Sequence, residues 1–287
     1  MHINLMCFGR VEGIMASRDL APGLWLIGIG PGDVEHMTDR AKNIARRCRT
    51  RYLEGYTAVL PIEQEALLEE LVGPWKKVMR PSVERPKELL SEARRKAVAL
   101  MVVGDPMQAT THIDLEARCM EEGVSFEVVP GLSATSLSIS LSGLQSYKFG
   151  RQVTLPYPYG EYLAISPVEM ISTNYQNGLH SLVLLDLDPT GMGFDPPKPM
   201  SPSQAVSVLE NMAERYLEEH EMGLVPEGNV SDWRGLLLSD VGTANQRVSS
   251  GKLGDIAKIE GGFMHSFIIP AKMSENEEDA FRRRQLE

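Results

Sequence analysis

Leu24-Trp25-Leu26-Ile27 running into Gly28-Ile29-Gly30-Pro31-Gly32-Asp33, and Ala97-Val98-Ala99-Leu100-Met101-Val102-Val103 running into Gly104-Asp105-Pro106, settle the class of fold. Each is a continuous apolar run that stops at glycine, the pattern of a strand buried on both faces and followed by a tight turn. Strands of that kind sit in parallel sheets covered by helices. In such sheets ligands collect beyond the carboxyl ends of the strands, and glycine there lets a ligand come close to the backbone. A third turn, Pro130-Gly131-Leu132-Ser133-Ala134, closes the short apolar stretch over 126–129.

Working outward, Ala41, Ile44, Ala45 and Cys48 fall at i, i+3, i+4 and i+7, an apolar helical stripe beneath the basic face of Arg40, Lys42, Arg46, Arg47 and Arg49. A basic face of this kind is solvated or docks a protein partner. Thr38 is placed to cap the helix through its side-chain oxygen. A strand is expected over 52–57, helices over 63–72, 86–95 and 111–122, and an extended piece over 77–79. Strands and helices alternate this far, the mark of a wound α/β sheet. A small-residue helix over 133–142 follows, and Pro156-Tyr157-Pro158 marks a change of regime. Beyond it strands look fewer and helices longer: helix 168–175, strand 182–187, helix 203–219, strands 236–239 and 266–269. Ala205, Val208, Leu209, Met212 and Tyr216 share one stripe of the 203–219 helix, suited to core or to a dimer interface. The chain is thus divided into an extension (1–23), an N-terminal α/β domain (24–130), a C-terminal α/β domain (131–272) and a highly charged tail (273–287) expected to fray.

The 287 residues are 43% hydrophobic and 24% charged, ordinary for a globular protein, and the formal net charge is −10. Such a surface opposes non-specific binding to nucleic acid, which needs cations against phosphate. No apolar run reaches the roughly 18 residues of a membrane span. Cys7, Cys48 and Cys119 are scattered and lack metal-ligand spacing, as reduced thiols in a cytoplasmic protein would be. No metal site is expected.

The first turn invites a dinucleotide reading, but that fingerprint needs a third glycine where Asp33 stands. A carboxylate there would repel pyrophosphate at the helix mouth. Glu54, about 20 residues on, does match the ribose-binding acid of that fingerprint. A P-loop is excluded, because no glycine-rich turn ends in Lys-Ser or Lys-Thr.

The three turns, in this order, resemble the tetrapyrrole-methylase superfamily. Four further stretches resemble its diphthine synthase branch: Glu54-Gly55-Tyr56-Thr57, Gly104 through His112 (GDPMQATTH), Gly143 through Gly150 (GLQSYKFG) and Gly178 through Asp186 (GLHSLVLLD). The likeness runs from about Leu24 to about Lys272. It implies a two-domain α/β methyltransferase, homodimeric, holding S-adenosylmethionine in the cleft between domains. Carried over by motif, it implies cofactor contacts from Pro31, Asp105, Gln108, Ser133, Ala134, Leu185, Val241 and His265. It implies as acceptor the amino group of a 3-amino-3-carboxypropyl histidine on translation elongation factor 2. Pro31-Gly32-Asp33 and Pro130-Gly131 look closer to the corrin and sirohaem methylases of the same fold, so a tetrapyrrole acceptor is the alternative. A cofactor-binding homologue without turnover is another.

No residue is assigned as general base. His112 either fixes the Gly-Asp-Pro loop by hydrogen bonding or acts as that base, and His180 is expected to be structural. Lys148 either binds an acceptor carboxylate or is solvated. Tyr56, Tyr147 and Tyr157 line the cleft or simply pack.

Overall fold

A computed structural model describes residues 20–190, 196–220 and 223–285. Cys7 and nearly all of the 1–23 extension lie outside them. Along the described chain run β1 (Gly23–Gly28), α1 (Asp39–Arg47), β2 (Thr50–Glu54), α2 (Ile62–Val72), β3 (Lys76–Val78), α3 (Arg80–Glu84), α4 (Lys87–Ala93), β4 (Ala97–Val102), α5 (Ile113–Glu121) and β5 (Phe126–Val129). Then follow α6 (Ala134–Ser142), β6 (Val153–Leu155), α7 (Ser166–Gln176), β7 (Ser181–Leu185), α8 (Pro202–Glu219), β8 (Arg234–Ser239), β9 (Arg247–Lys252), α9 (Leu253–Ile256), β10 (His265–Ile269) and α10 (Glu275–Arg282).

The first sheet is wholly parallel, in the order β3-β2-β4-β1-β5. Successive side chains of a strand point to opposite faces, so a strand covered on both sides must be apolar at every position. All six residues of β4 are buried. On one face Ile27, Ala99 and Met101 pack with Ala41 and Ile44 of α1 and Leu68 of α2. On the other, Leu26, Val98 and Leu100 pack with Leu89 and Leu90 of α4 and Leu115 and Cys119 of α5. The neighbours β1 and β4 therefore send their chains to opposite faces, and their carboxyl ends flank a switch point of the kind that holds ligands in wound sheets. Thr38 caps α1 as expected, accepting from the Ala41 amide at 3.1 Å.

The second sheet, β6-β7-β10-β8-β9, pairs β6 and β7 in parallel and is otherwise antiparallel. It has five strands, as many as the first, which corrects the expectation of fewer. β6 and β9 escape sequence reading because β6 is three residues long and β9 (Arg247-Val248-Ser249-Ser250-Gly251-Lys252) is polar. Ala205, Val208, Leu209 and Met212 of α8 sit in the core beside Val183, Leu185 and Phe267, so that stripe is core.

The 273–287 tail is corrected more sharply. Ser274 and Glu277 form a capping box that starts α10, and Ala280 and Phe281 are buried against the second sheet. Charge count hid an amphipathic helix whose Glu277 is itself buried.

Candidate functional site

The three glycine turns meet. Gly30 and Gly104 exchange backbone hydrogen bonds of 3.2 and 2.9 Å. A Cβ on Gly28 would lie 2.5 Å from the Gly131 nitrogen, so no larger residue fits where β1, β4 and β5 end. Gly104 is at φ +89°, and a Cβ built there meets nothing within 4 Å. The backbone at this turn is therefore open to a ligand on its Cβ side.

Asp105 lies at the centre of the meeting point. Its Oδ1 accepts from the Met107 amide at 2.9 Å, and its Oδ2 accepts from the Gly131 amide at 3.0 Å, 26 residues away. The carboxylate thus shapes its own loop and ties it to the turn after β5. Each oxygen keeps further lone-pair capacity. Ser133 is buried and caps α6, accepting from the Thr135 amide at 3.2 Å, while Ala134 opens that helix and is exposed. Gln108 is exposed on the same loop as Asp105, next to Ala109, which is held at φ 53°. A non-glycine residue there is strained, and strain of this kind gathers at functional loops.

Leu185, Val241 and His265 lie at one end of the second sheet's central strands, β7, β8 and β10. Leu185 ends β7, and His265 opens β10 one residue before Ser266, which pairs with Leu184. His265 also pairs with Ser239, two residues before Val241. Its Nδ1 lies 2.9 Å from the Ser239 hydroxyl. Burial pushes the His265 imidazole below its ordinary value, against the opposing pull of Asp240, so the ring is neutral at pH 7.

Pro31 joins the two groups. A Cβ on Gly242 would lie 2.5 Å from the Pro31 carbonyl oxygen, and one on Gly32 2.6 Å from that of Gly242. The turn after β1 therefore abuts the loop after β8. Asp240, which sequence reading missed, shapes that loop. It sits at φ 49°, and its Oδ1 accepts from the amides of Phe263 and Met264 at 2.8 and 2.9 Å. An aspartate directly after an apolar strand was the available signal, since aspartate tolerates this backbone region.

The other candidates sort by their partners. His112 is buried with Nδ1 2.7 Å from the Pro106 carbonyl, so it does fix the Gly-Asp-Pro loop. Its Nε2 faces Glu54 Oε1 at 3.7 Å. Glu54, proposed by spacing for a ribose, is buried and accepts from the Thr57 hydroxyl. Lys148 is neither solvated nor free for an acceptor, because it donates to Glu277 at 2.6 Å and to the Lys272 carbonyl at 2.9 Å. His180 is structural, with Nε2 3.0 Å from Glu277 and Nδ1 accepting from the Ala271 amide. Tyr56 is buried and Tyr147 exposed, while Tyr157 is half-buried on a cavity wall. Asp33 caps the turn after β1 through the Glu35 amide. Burial pushes the thiols of Cys48 and Cys119 up to about 12 and about 11, so neither is a ready nucleophile.

The family model for tetrapyrrole (corrin/porphyrin) methylases matches residues 23–257. The human diphthine methyl ester synthase is 33% identical over 259 residues, covering 86% of this chain and 89% of that protein. This chain belongs to the diphthine synthase branch of the tetrapyrrole methylases. The diphthine synthase of Methanocaldococcus jannaschii is 31% identical, covering 90% of this chain and 97% of that one. A crystal structure of diphthine synthase superposes with a TM-score of 0.76 at 26% identity, over 91% of this chain and 95% of that one. A conserved hypothetical protein from Aeropyrum pernix K1 gives a TM-score of 0.80 at 30% identity, over 92% and 90%. The tetrapyrrole-methylase fold is that of S-adenosylmethionine-dependent methylases. The open backbone face at Gly104, the Asp105 carboxylate and the buried Ser133 hydroxyl suit a group that carries hydroxyls, an amine and a carboxylate.

Proposed function

We propose that this chain transfers methyl groups from S-adenosylmethionine to the amino group of a 3-amino-3-carboxypropyl histidine on translation elongation factor 2. Asp105 carries this assignment, because it fastens the Gly104 loop to Gly131 beside an open backbone face, in a chain matched almost end to end by diphthine synthases. The cofactor lies in a cleft between two domains, about residues 24–130 and 131–272. Pro31, Asp105, Gln108, Ser133 and Ala134 contact it from the first, and Leu185, Val241 and His265 from the second.

The sulfonium cofactor supplies an electrophilic methyl group when bound. The chain supplies position and exclusion of water. Neutral His265, held by Ser239, can donate or accept without bringing a second positive charge near a sulfonium. The acceptor amine must be neutral to attack. Its proton leaves to solvent before docking, and no residue is assigned as a general base. The protein acts in the cytoplasm as a homodimer.

The test is incubation with methyl-labelled S-adenosylmethionine and either precursor-modified elongation factor 2 or a reduced tetrapyrrole. Label in the protein band is expected, and its mass counts the methyl groups. Label only in the pigment makes the chain a tetrapyrrole methylase, and cofactor binding without label in either makes it a silent homologue. Asp105→Ala is expected to weaken cofactor binding about tenfold or more by calorimetry, equivalent to at least 1.4 kcal/mol. Unchanged affinity would remove Asp105 from the site.

A further inference from the structure

Past the carboxyl ends of β6 and β7, the parallel pair of the second sheet, lies a cavity of about 440 Å³. Its walls include Tyr157, Tyr159, Tyr162, Asp186 and Asp188, and no cationic side chain lines it among the described residues. These walls are held in place. The Tyr157 amide donates to Asp186 Oδ2 at 3.1 Å, and the Tyr157 hydroxyl donates to the Lys198 carbonyl at 3.0 Å. Asp186 Oδ1 accepts from the amides of Leu187 and Asp188 at 2.7 and 3.1 Å. Asp188 Oδ1 accepts from the Thr190 amide and hydroxyl at 2.9 and 2.6 Å. Tyr159 and Tyr162 exchange backbone hydrogen bonds of 2.9 Å, so one tight turn carries both rings.

The chemistry of this wall selects its occupant. Two carboxylates repel an anion. A neutral apolar guest would take water from these charges and return no opposite charge. A cation with apolar surface satisfies both kinds of wall, since ring faces attract positive charge and carboxylates complete its neutralisation. The rings of Tyr159 and Tyr162 are 50% and 68% exposed, available to a group presented from outside. Asp186 directly follows Leu185, so one wall of the cavity continues from the end of β7, the strand end that carries Leu185.

We propose that this cavity holds the alkylammonium head of the acceptor side chain as it gains methyl groups. The inference rests on the proposed N-methyl transfer. Each transfer forms a carbon–nitrogen bond and breaks the sulfonium carbon–sulfur bond. The amine's lone pair becomes the carbon–nitrogen bond and the carbon–sulfur pair stays on sulfur; the product nitrogen is cationic and gives a proton to solvent before the next transfer. Each added methyl also replaces an N–H that water would bind, so the head suits rings better the further it is methylated.

The test uses the full chain saturated with S-adenosylmethionine and carrying labelled tyrosine rings. Choline, a quaternary ammonium, is titrated by NMR beside its neutral carbon isostere 3,3-dimethylbutan-1-ol. Choline is expected to shift the rings of Tyr157, Tyr159 and Tyr162 saturably and about tenfold more tightly than the isostere. Tyr159→Leu and Tyr162→Leu, at exposed positions, are each expected to weaken choline about threefold and to raise KM for the protein acceptor more than they lower kcat. Equal binding of choline and isostere, or no saturable shift, overturns the proposal. So does an unchanged KM in both variants while the wild-type protein methylates its acceptor. If the wild-type protein shows no cofactor affinity by calorimetry, the methyl-transfer assignment fails instead, and the choline titration still decides whether the cavity takes a cation.

Discussion

Among the described residues are two buried histidine–glutamate pairs, and they are built oppositely. In the second sheet His180 and Glu277 meet at 3.0 Å, and every polar atom around them is used. Glu277 accepts from Lys148, from the amides of Gln145 and Ser274 and from the Ser274 hydroxyl, and His180 accepts from the Ala271 amide. Burial would push the Glu277 carboxyl up, but these donors together hold it well below the usual carboxylate range. In the first sheet His112 and Glu54 stand 3.7 Å apart. Glu54 Oε2, Tyr56 Oη and His112 Nε2 are all buried without a hydrogen bond of ordinary geometry. Burial pushes the Glu54 carboxyl up, against the pull of the Thr57 hydroxyl, His112 and the nearby Tyr56 hydroxyl. A saturated network staples; an unsaturated one stores free energy, and this one lies under the loop that carries Asp105.

The largest test removes the staple. Glu277→Ala leaves Lys148, His180 and two amides without their acceptor, and should lower stability by about 3 kcal/mol in urea unfolding. A loss under about 1 kcal/mol would erase the contrast between the two pairs.

The opposite sign is expected at the other pair. A carboxyl whose folded pKa is raised contributes stability below its unfolded value, about 4.3, and loses it as pH rises. Glu54→Gln keeps the acceptor for Thr57 and cannot ionise. It should therefore stabilise the fold by about 1–2 kcal/mol at pH 8, with the gain shrinking towards pH 4. Destabilisation at pH 8 would show that the Glu54 charge is compensated after all.

His180 supplies a pH window. Burial pushes its imidazole down, opposed by Glu277, so the unfolded chain takes up the proton first. Stability should fall as pH drops below about 6.5, by at most about 1.4 kcal/mol per unit, and His180→Gln should flatten that slope in thermal unfolding. An equal slope in the variant would assign the acid sensitivity elsewhere, with His265 the next group to test.

The smallest effect concerns the loop above the unsaturated pair. Ala109→Gly relieves the φ of 53° and should add about 0.5–1 kcal/mol net of the glycine entropy cost. A gain in stability with weaker cofactor binding would show that the strain holds the loop in its working shape.

The first sheet was legible because its strands are continuous apolar runs ended by glycine, and helices of period 3.6 separate them. Its turns could be quoted from the sequence, and all three come together. The second was less legible for physical reasons. β9 is polar, β6 is short, and α10 looks like a charged tail until its partner surface is known. Among single residues, the loop of Asp105 could be read from the sequence but its tie to Gly131 could not, since sequence spacing says nothing of a contact across 26 residues. Asp240 was missed because its importance lies in a backbone angle. Lys148 was misjudged because its partner lies 129 residues ahead.

That last separation has a consequence for synthesis. The first sheet closes entirely within residues 23–129, so it can form while the rest of the chain is still being made. The second sheet cannot be finished in that way. Gln145, Lys148 and His180 wait for Glu277, and Ser250 waits for the Phe281 carbonyl. A nascent chain that has not reached residue 277 has every strand of the first sheet but leaves His180 and Lys148 without the Glu277 carboxylate. Docking of α10 is therefore the step that answers both side chains.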